Sequence, residues 1–281
     1  MIEKYYNGVI EQVAGGIGNV EHNSILVRYS NDFSIWDLES VNHYKDQTDI
    51  FFTCHEFSYN KIAEAYEPYL GLIRQMFHKY CSGTLEEFME ECDVYKLQRP
   101  VFESYFEKGF CERTEQILID EVEYEQERMR NSIVTMLQKL SEIRPVVIVL
   151  NRFQLASKST MQLSNSLLQV KNKNIGIVLG VNDVQSIPEF AHEEWDAICE
   201  SMDDRNMVYH IGNAGRNMEP DVMDYYSDYE SDDGYRKLNN LVYFLDFDQA
   251  DHHLSKIERR IKFDNFTISE KKHYQLLLLQ I

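Results

Sequence analysis

The stretch RPVVIVLNRFQLASKSTMQLSNSLLQ, residues 144–169, decides the fold of this chain. Its apolar run, residues 146–150, is short, continuous and rich in β-branched side chains, which is typical of a strand buried on both faces. Ser157 or Ser159 can cap the helix that follows, because a serine hydroxyl accepts a hydrogen bond from a free amide of the first helical turn. The stretch therefore predicts a buried strand followed by a helix.

The same alternation continues on both sides of this stretch. Downstream, two more apolar runs are separated by a helix that we expect to begin at Ser186 or Pro188. Alternating strands and helices favour an α/β fold, a parallel sheet with helices on both faces. We expect residues 146–150 and 175–181 to be neighbouring central strands, with residues 24–29 in the same sheet. The predicted strands are residues 24–29, 49–54, 146–150, 175–181 and 207–211.

The composition limits the classes of function. The chain has 281 residues, of which 28 are basic and 47 acidic, so its net charge is −19. This balance lacks the basic surface that is typical of proteins that bind nucleic acid or anionic membranes. The five cysteines include no CxxC pair, which favours reduced thiols in the cytoplasm. Residues 1–6 do not read as a signal peptide, and no apolar run is long enough to span a membrane.

The chain changes character after the last predicted strand. We assign residues 1–212 to one α/β domain. Residues 213–240 include the acidic, tyrosine-rich run EPDVMDYYSDYESDDGYR, which predicts a surface loop or linker. Residues 241–281 contain two amphipathic patterns and predict a helical appendage. This appendage is either a cap on the α/β domain or the start of a helical repeat array, because one helix pair cannot establish a period.

Residues 144–169 resemble the Walker B region of the AAA-related signalling NTPases called STAND proteins. In that family a hydrophobic strand ends in two acidic residues, and a turn and a helix follow. The next strand, IGIVLGVND, resembles the sensor strand of the family, and DIFFTCHEF with AYEPYLGLIRQMF resembles the strand and helix after the phosphate loop. The resemblance covers residues 24–211 and implies a P-loop NTPase-like sheet. The residues that fit the turn and the helix start are Gln154, Ala156, Ser157, Ser159 and Thr160.

The positions that would hold a magnesium ion depart from the family. Asn151 and Arg152 stand where the resemblance implies the two acids. An amide is a neutral ligand at best, and a guanidinium repels a cation. Asn182 stands where the sensor strand of the family often ends in a basic residue. The sequence therefore predicts no metal site at these positions.

The phosphate loop is also altered. A phosphate cradle needs the pattern GxxxxGK[ST] between a strand and a helix. The segment YSNDFSIWDLES follows the first predicted strand, where the loop belongs, but it has no glycine and no lysine. Its degenerate nucleotide-facing positions are Ser30, Asn31 and Ser34. The glycine-rich segment GGIGNVEHNS, residues 15–24, is a second possible remnant, but it precedes the strand.

These observations leave several functions open. The first hypothesis is a non-catalytic regulatory or scaffolding module of a bacterial signalling protein, without a cofactor and with protein partners. The alternative is an atypical switch domain that still binds ATP. An enzyme of unrelated chemistry is a third, since a fold does not fix a function, and an ordinary doubly wound domain without NTPase ancestry also fits. Cys54 and His55 do not form a catalytic pair, because neighbours in a strand point to opposite faces.

Overall fold

The described part of the chain folds around one five-stranded parallel sheet. A computed structural model describes residues 2–20, 23–30, 33–45, 47, 49–58, 61–111, 122–183, 187, 191–205, 207–211 and 232–263. The strands are β1 (Asn23–Tyr29), β2 (Phe51–Glu56), β3 (Val146–Asn151), β4 (Ile175–Asn182) and β5 (Val208–Ile211). The helices are α1 (Ile2–Gly16), α2 (Glu39–Lys45), α3 (Tyr69–Tyr80), α4 (Leu85–Glu91), α5 (Arg99–Lys108), α6 (Val122–Ile143), α7 (Lys158–Gln169), α8 (His192–Asp203), α9 (Asp232–Tyr243) and α10 (Phe247–Phe263).

The strand order is β2-β3-β4-β1-β5, and every pairing is parallel. Val146 of β3 lies opposite Ile175 of β4, and Ile25 of β1 lies opposite Val178 of β4. The prediction that the two most apolar runs are neighbouring central strands, with β1 in the same sheet, is therefore confirmed. Every residue of β3 and β4 is buried, as a continuous apolar run predicts. The order is consistent with a P-loop NTPase-like sheet.

The two faces of the sheet have separate apolar cores. One face packs against α1 and α2, through Val27, Val149 and Val178 among others. The other face packs against helices from α3 to α10, through residues such as Ile148 and Ile177. Successive strand residues point to opposite faces, so each central strand contributes to both cores.

Two glycines of β4 let α1 lie close to the sheet. A Cβ on Gly176 would be 2.6 Å from Val13 Cγ1, and one on Gly180 would be 2.7 Å from Asn151 Oδ1. The Gly180 Cβ would come even closer to the hydroxyl of Tyr6. Any larger residue at either position would push α1 away from the strands it covers.

The structure shows where α7 begins, but it does not test the predicted start of α8. The Ser157 hydroxyl accepts a hydrogen bond from Thr160 N over 3.3 Å, which confirms Ser157, rather than Ser159, as the cap of α7. Helix α8 begins at His192, and residues 186 and 188, where we placed its start, lie outside the described residues.

The C-terminal helices correct the predicted linker. Helix α9 begins at Asp232, so the prediction of a linker over residues 213–240 is wrong for residues 232–240. The reason is that Leu238, Leu241 and Val242 recur at helical spacing and are buried in the core. Residues 213–231 and 264–281, with the predicted last helix, lie outside the described residues.

The link between α9 and α10 is joined to the α/β domain. The Phe244 ring makes edge contacts with Tyr66 and Tyr105, with ring centroids 6.0 and 5.6 Å apart. The buried Asp246 carboxylate accepts a hydrogen bond of 2.9 Å from Ser159 N, at the start of α7. The two helices thus contribute to the same core as α3 and α7. Within the described residues, no helix combines the length and apolarity needed to cross a membrane.

Candidate functional site

The carboxyl ends of β1, β3 and β4 form the edge that carries the degenerate nucleotide-facing positions. After β1 the chain turns to the face that carries α2, whereas after β4 it turns to the face that carries α8. Such a change of direction between neighbouring strands is where ligands bind in open α/β sheets. The side chains at this edge therefore decide whether a ligand fits.

Asn151 is fully buried at the end of β3 and is bound to another side chain. The Tyr29 hydroxyl, at the end of β1, donates a hydrogen bond of 2.7 Å to Asn151 Oδ1. The other amide atom, Asn151 Nδ2, is buried without a hydrogen-bond partner. The position that would carry a metal-binding carboxylate is thus neutral and its acceptor oxygen is already used.

Three aromatic rings fill the space beside this amide. The Tyr6 and Phe33 ring centroids are 5.1 Å apart, and those of Tyr29 and Phe33 are 4.9 Å apart, both in edge contacts. Tyr6 and Tyr29 are fully buried, and burial is the main cause that raises the pKa of Tyr6 well above its usual value. The Tyr6 hydroxyl has no hydrogen-bond partner. We call Tyr6, Tyr29 and Phe33 the aromatic plug.

Arg152 is held by a carboxylate from the neighbouring strand. Its backbone is left-handed, with φ of 53°, which is uncommon for a residue other than glycine. Its Nη1 lies 3.4 Å from Glu56 Oε1, and the Ser34 hydroxyl donates to Glu56 Oε2 over 3.2 Å. The Glu56 carboxylate is mostly buried. The positive charge at the end of β3 is therefore paired within the protein.

The predicted site residues differ in where the structure places them. The structure brings Ser34 and Arg152 together through Glu56, and Ser34 also accepts a hydrogen bond of 3.4 Å from Trp36 N. Ser30 is half-buried directly after β1. Asn31 lies outside the described residues.

Asn182, at the end of the predicted sensor strand, is also held by contacts within the protein. Asn182 is buried at the end of β4, and its backbone amide donates to Gln154 Oε1 over 3.3 Å. The next residue, Asp183, lies 3.7 Å from Arg28 Nε in an ion pair. The turn that follows β3 is thus tied to the end of β4.

Sequence reasoning missed Tyr6, Tyr29 and Glu56. Tyr6 lies in α1, the helix directly before β1, and reaches the site only because α1 lies across the sheet. Tyr29 reads as the last apolar residue of its strand, and Glu56 as one of many acids. The position of Glu56 directly after a predicted strand was the signal that could have found it, because strand ends meet at this edge.

A second group of polar side chains lies on the outer strand β2. His55 Nε2 is 3.5 Å from Glu67 Oε1, and burial is the main cause that lowers the pKa of His55 to about 4. Cys54 points to the other face, as predicted, and burial raises the pKa of its thiol to about 11. Neither group is charged at neutral pH. Among the described residues, no cluster of histidine, cysteine and acidic side chains could hold a metal ion.

Comparisons with known proteins do not place the chain in a family. No family model matches the sequence, and no curated protein resembles it at a significant level.

Proposed function

We propose that this chain is a non-catalytic regulatory or scaffolding module, and that it acts by binding proteins in the cytoplasm of a bacterium. The observation that carries the proposal is the edge formed by β1 and β3, where the aromatic plug and Asn151 occupy the place of a nucleotide phosphate. A phosphate site needs free amides and positive charge at the end of a strand. Here Tyr6, Tyr29 and Asn151 are buried and carry no positive charge.

The charges at this edge also oppose phosphate binding. Phosphoryl transfer depends almost entirely on positioning and on charge stabilisation by cations. Arg152 is paired with Glu56, and the Glu56 carboxylate would repel a phosphate placed beside it. Each charged hydrogen bond that is lost costs about 1.5–3 kcal/mol. Losing two or three would move a micromolar site towards the millimolar range or beyond.

The resemblance to STAND proteins fits the same proposal. A degenerate member of that family would keep the sheet and lose the nucleotide. The buried contacts of Phe244 and Asp246 support a role for α9 and α10 as a fixed part of the module. Protein partners, rather than nucleic acid or membranes, fit the net charge of −19.

Titration calorimetry with ATP and MgCl₂, together with a phosphate-release assay, tests the proposal on the full chain. We expect no saturable binding up to millimolar ATP and no hydrolysis above background. The double variant Asn151→Asp, Arg152→Asp should behave the same way, because the aromatic plug remains. A micromolar Kd for ATP in the unaltered chain, weakened by Asn151→Ala, would overturn the proposal in favour of a nucleotide switch.

A further inference from the structure

Strand β2 is an edge of the sheet as far as the described residues show, and half of its backbone groups face away from its partner strand. It pairs with β3 on one side and with no described strand on the other. Phe51 N donates to Pro145 O, and Phe57 N donates to Asn151 O, so the odd-numbered residues bond inwards. In a parallel pair the alternate residues face the other way, so the amides and carbonyls of Phe52, Cys54 and Glu56 point outwards.

The sequence of β2 does not protect this edge. Natural edge strands are blunted by lysine, proline, bulges or a covering element, because an open edge pairs with other strands. The strand FFTCHE has no lysine or proline, and its pairing with β3 runs without a bulge from Phe51 to Glu56. All six residues are half-buried, so the described residues cover none of them completely.

Three neighbouring cavities run beside β2, on the side of α3. The first, of about 520 Å³, lies at Phe51, and the second, of about 250 Å³, lies at Thr53 and His55. The third, of about 110 Å³, lies at the carboxyl end of the strand. Neighbouring cavities share Gln75 or His55 in their walls. We call this row the β2 groove. Alternate side chains of an added strand, roughly 6.6–6.8 Å apart, would point towards it.

The charge along the β2 groove changes from one end to the middle. Arg74, His78 and Lys79 line the cavity at Phe51. The Arg74 guanidinium donates to the carbonyls of Phe106 and Glu107, over 2.6 and 3.1 Å. No described carboxylate lies within ion-pair distance of Arg74 or Lys79. This end therefore attracts an acid, in a chain whose net charge is −19.

The middle of the groove carries charges of both signs. Glu64 and Glu67 line the cavity at His55, whose ring is neutral at pH 7. Asn240 already donates to Glu64, and Lys61 and Lys237 add positive charge close to His55, so this cavity has no single preference for one sign of charge. The cationic end therefore differs from the mixed middle, and this difference gives the groove a direction.

We propose that β2 binds an extended segment of a partner protein by strand addition. The segment carries a carboxylate over Arg74 and Lys79. Main-chain hydrogen bonds to Phe52, Cys54 and Glu56 give affinity, and the alternating side chains give selectivity. This inference builds on the proposed interaction role by naming the surface and the class of partner.

Peptide display on the full chain, followed by titration of one enriched synthetic peptide, tests the proposal. We expect random twelve-residue peptides to converge on alternating β-branched residues with an acid at one end. Cys54→Pro should abolish measurable binding, because proline removes an outward amide, and edge positions tolerate it. Lys79→Glu should weaken binding by about fivefold or more. The matched control Lys171→Glu, an exposed lysine between α7 and β4, should change nothing.

Hydrogen exchange gives a second measurement that needs no variant. The amides of Phe52, Cys54 and Glu56 should become protected when the peptide binds. A failure to enrich peptides would overturn the proposal, as would peptides that bind Cys54→Pro equally well. A dimer of the unaltered chain that Cys54→Pro converts to a monomer would show that a second copy occupies the edge, and would also overturn it. Calorimetry with ATP separates these outcomes from the proposed loss of nucleotide binding.

Discussion

The carboxyl ends of β1 and β3 and the outer edge of β2 differ in how their polar groups are used. At the first place, Tyr29 holds Asn151, Glu56 holds Arg152, and aromatic rings occupy the remaining space. At the second, the backbone groups of alternate residues have no described partner and cavities lie alongside. The strand ends, where a parallel sheet usually binds its ligand, are thus filled by side chains. The edge strand β2, which natural proteins usually protect, lacks such protection.

The difference shows how side chains can close the carboxyl end of a parallel sheet without changing the fold. The sheet keeps its order because β3 and β4 are buried on both faces, and this burial does not depend on the residues at their ends. We call the carboxyl ends of β1 and β3 the closed end. The closed end therefore contributes to stability, while the outer edge of β2 can contribute to binding. Variants should separate these contributions. We expect large changes in the free energy of unfolding for variants at the closed end, and smaller changes for variants in β2.

The largest effect is expected for Gly180→Ala. The new methyl group would lie 2.7 Å from Asn151 Oδ1 and closer still to the Tyr6 hydroxyl. We expect the free energy of unfolding to fall by about 2–3 kcal/mol, because the buried rings cannot move aside freely. Urea denaturation measures the change, and Gly180→Ala with Tyr6→Phe should recover part of it.

A glycine on α1 provides the control. A Cβ on Gly8 would meet nothing within 4 Å. Gly8→Ala should therefore raise the free energy of unfolding by about 1 kcal/mol, as expected in the interior of a helix. If Gly180→Ala were as harmless as Gly8→Ala, α1 would not be packed on β4 as closely as the structure shows.

A smaller effect should distinguish the two buried tyrosines of the aromatic plug. Tyr29→Phe removes the hydrogen bond to Asn151 and leaves the amide with neither of its polar atoms satisfied. This change should cost about 1–2 kcal/mol of unfolding free energy. Tyr6→Phe removes a hydroxyl that has no partner, so it should cost nothing or stabilise the protein slightly. Equal effects in urea denaturation would contradict the assigned hydrogen bond.

The sequence predicted the parts of the fold that depend on burial alone. The runs that became β3 and β4 are apolar on both faces, so their central place followed from composition and length. Helix α9 was missed over its first turns, because its acidic start hides the spacing of Leu238 and Leu241. A window that began at residue 235 would have shown the helical period.

The closed end was predicted only in part, because its residues come from distant segments. Asn151 and Arg152 were singled out because they stand where the resemblance implies two acids at the end of a strand. The contribution of Tyr6 depends on α1 lying across β4, and no local pattern contains that information. The same holds for Gly180, whose lack of a side chain matters only because Tyr6 is above it.

The smallest of the three effects concerns His55 and appears as a dependence on pH. Burial, helped by the charge of Lys61, outweighs the attraction of Glu56 and lowers the pKa of His55 from 6.5 to about 4. Between these values the unfolded chain binds a proton that the folded chain does not. The stability due to this group is therefore complete above pH 6.5 and is lost as the pH falls towards 4. The His55 side chain is partly exposed, which reduces the effect to about 1 kcal/mol at pH 5.

Urea denaturation at pH 7 and pH 5 measures this contribution as a difference between variants. Asp246 has the opposite sign, because burial raises its pKa, so its contribution to stability grows as the pH falls. The total pH dependence of the unaltered chain is the sum of such terms, and only the comparison with His55→Gln isolates one of them. We expect His55→Gln to lose less stability between pH 7 and pH 5 than the unaltered chain, while His210→Gln, an exposed histidine on β5, keeps the full loss. If His55→Gln and His210→Gln lost stability equally, the His55 ring would be more exposed than its contacts with Glu67 and Phe57 indicate.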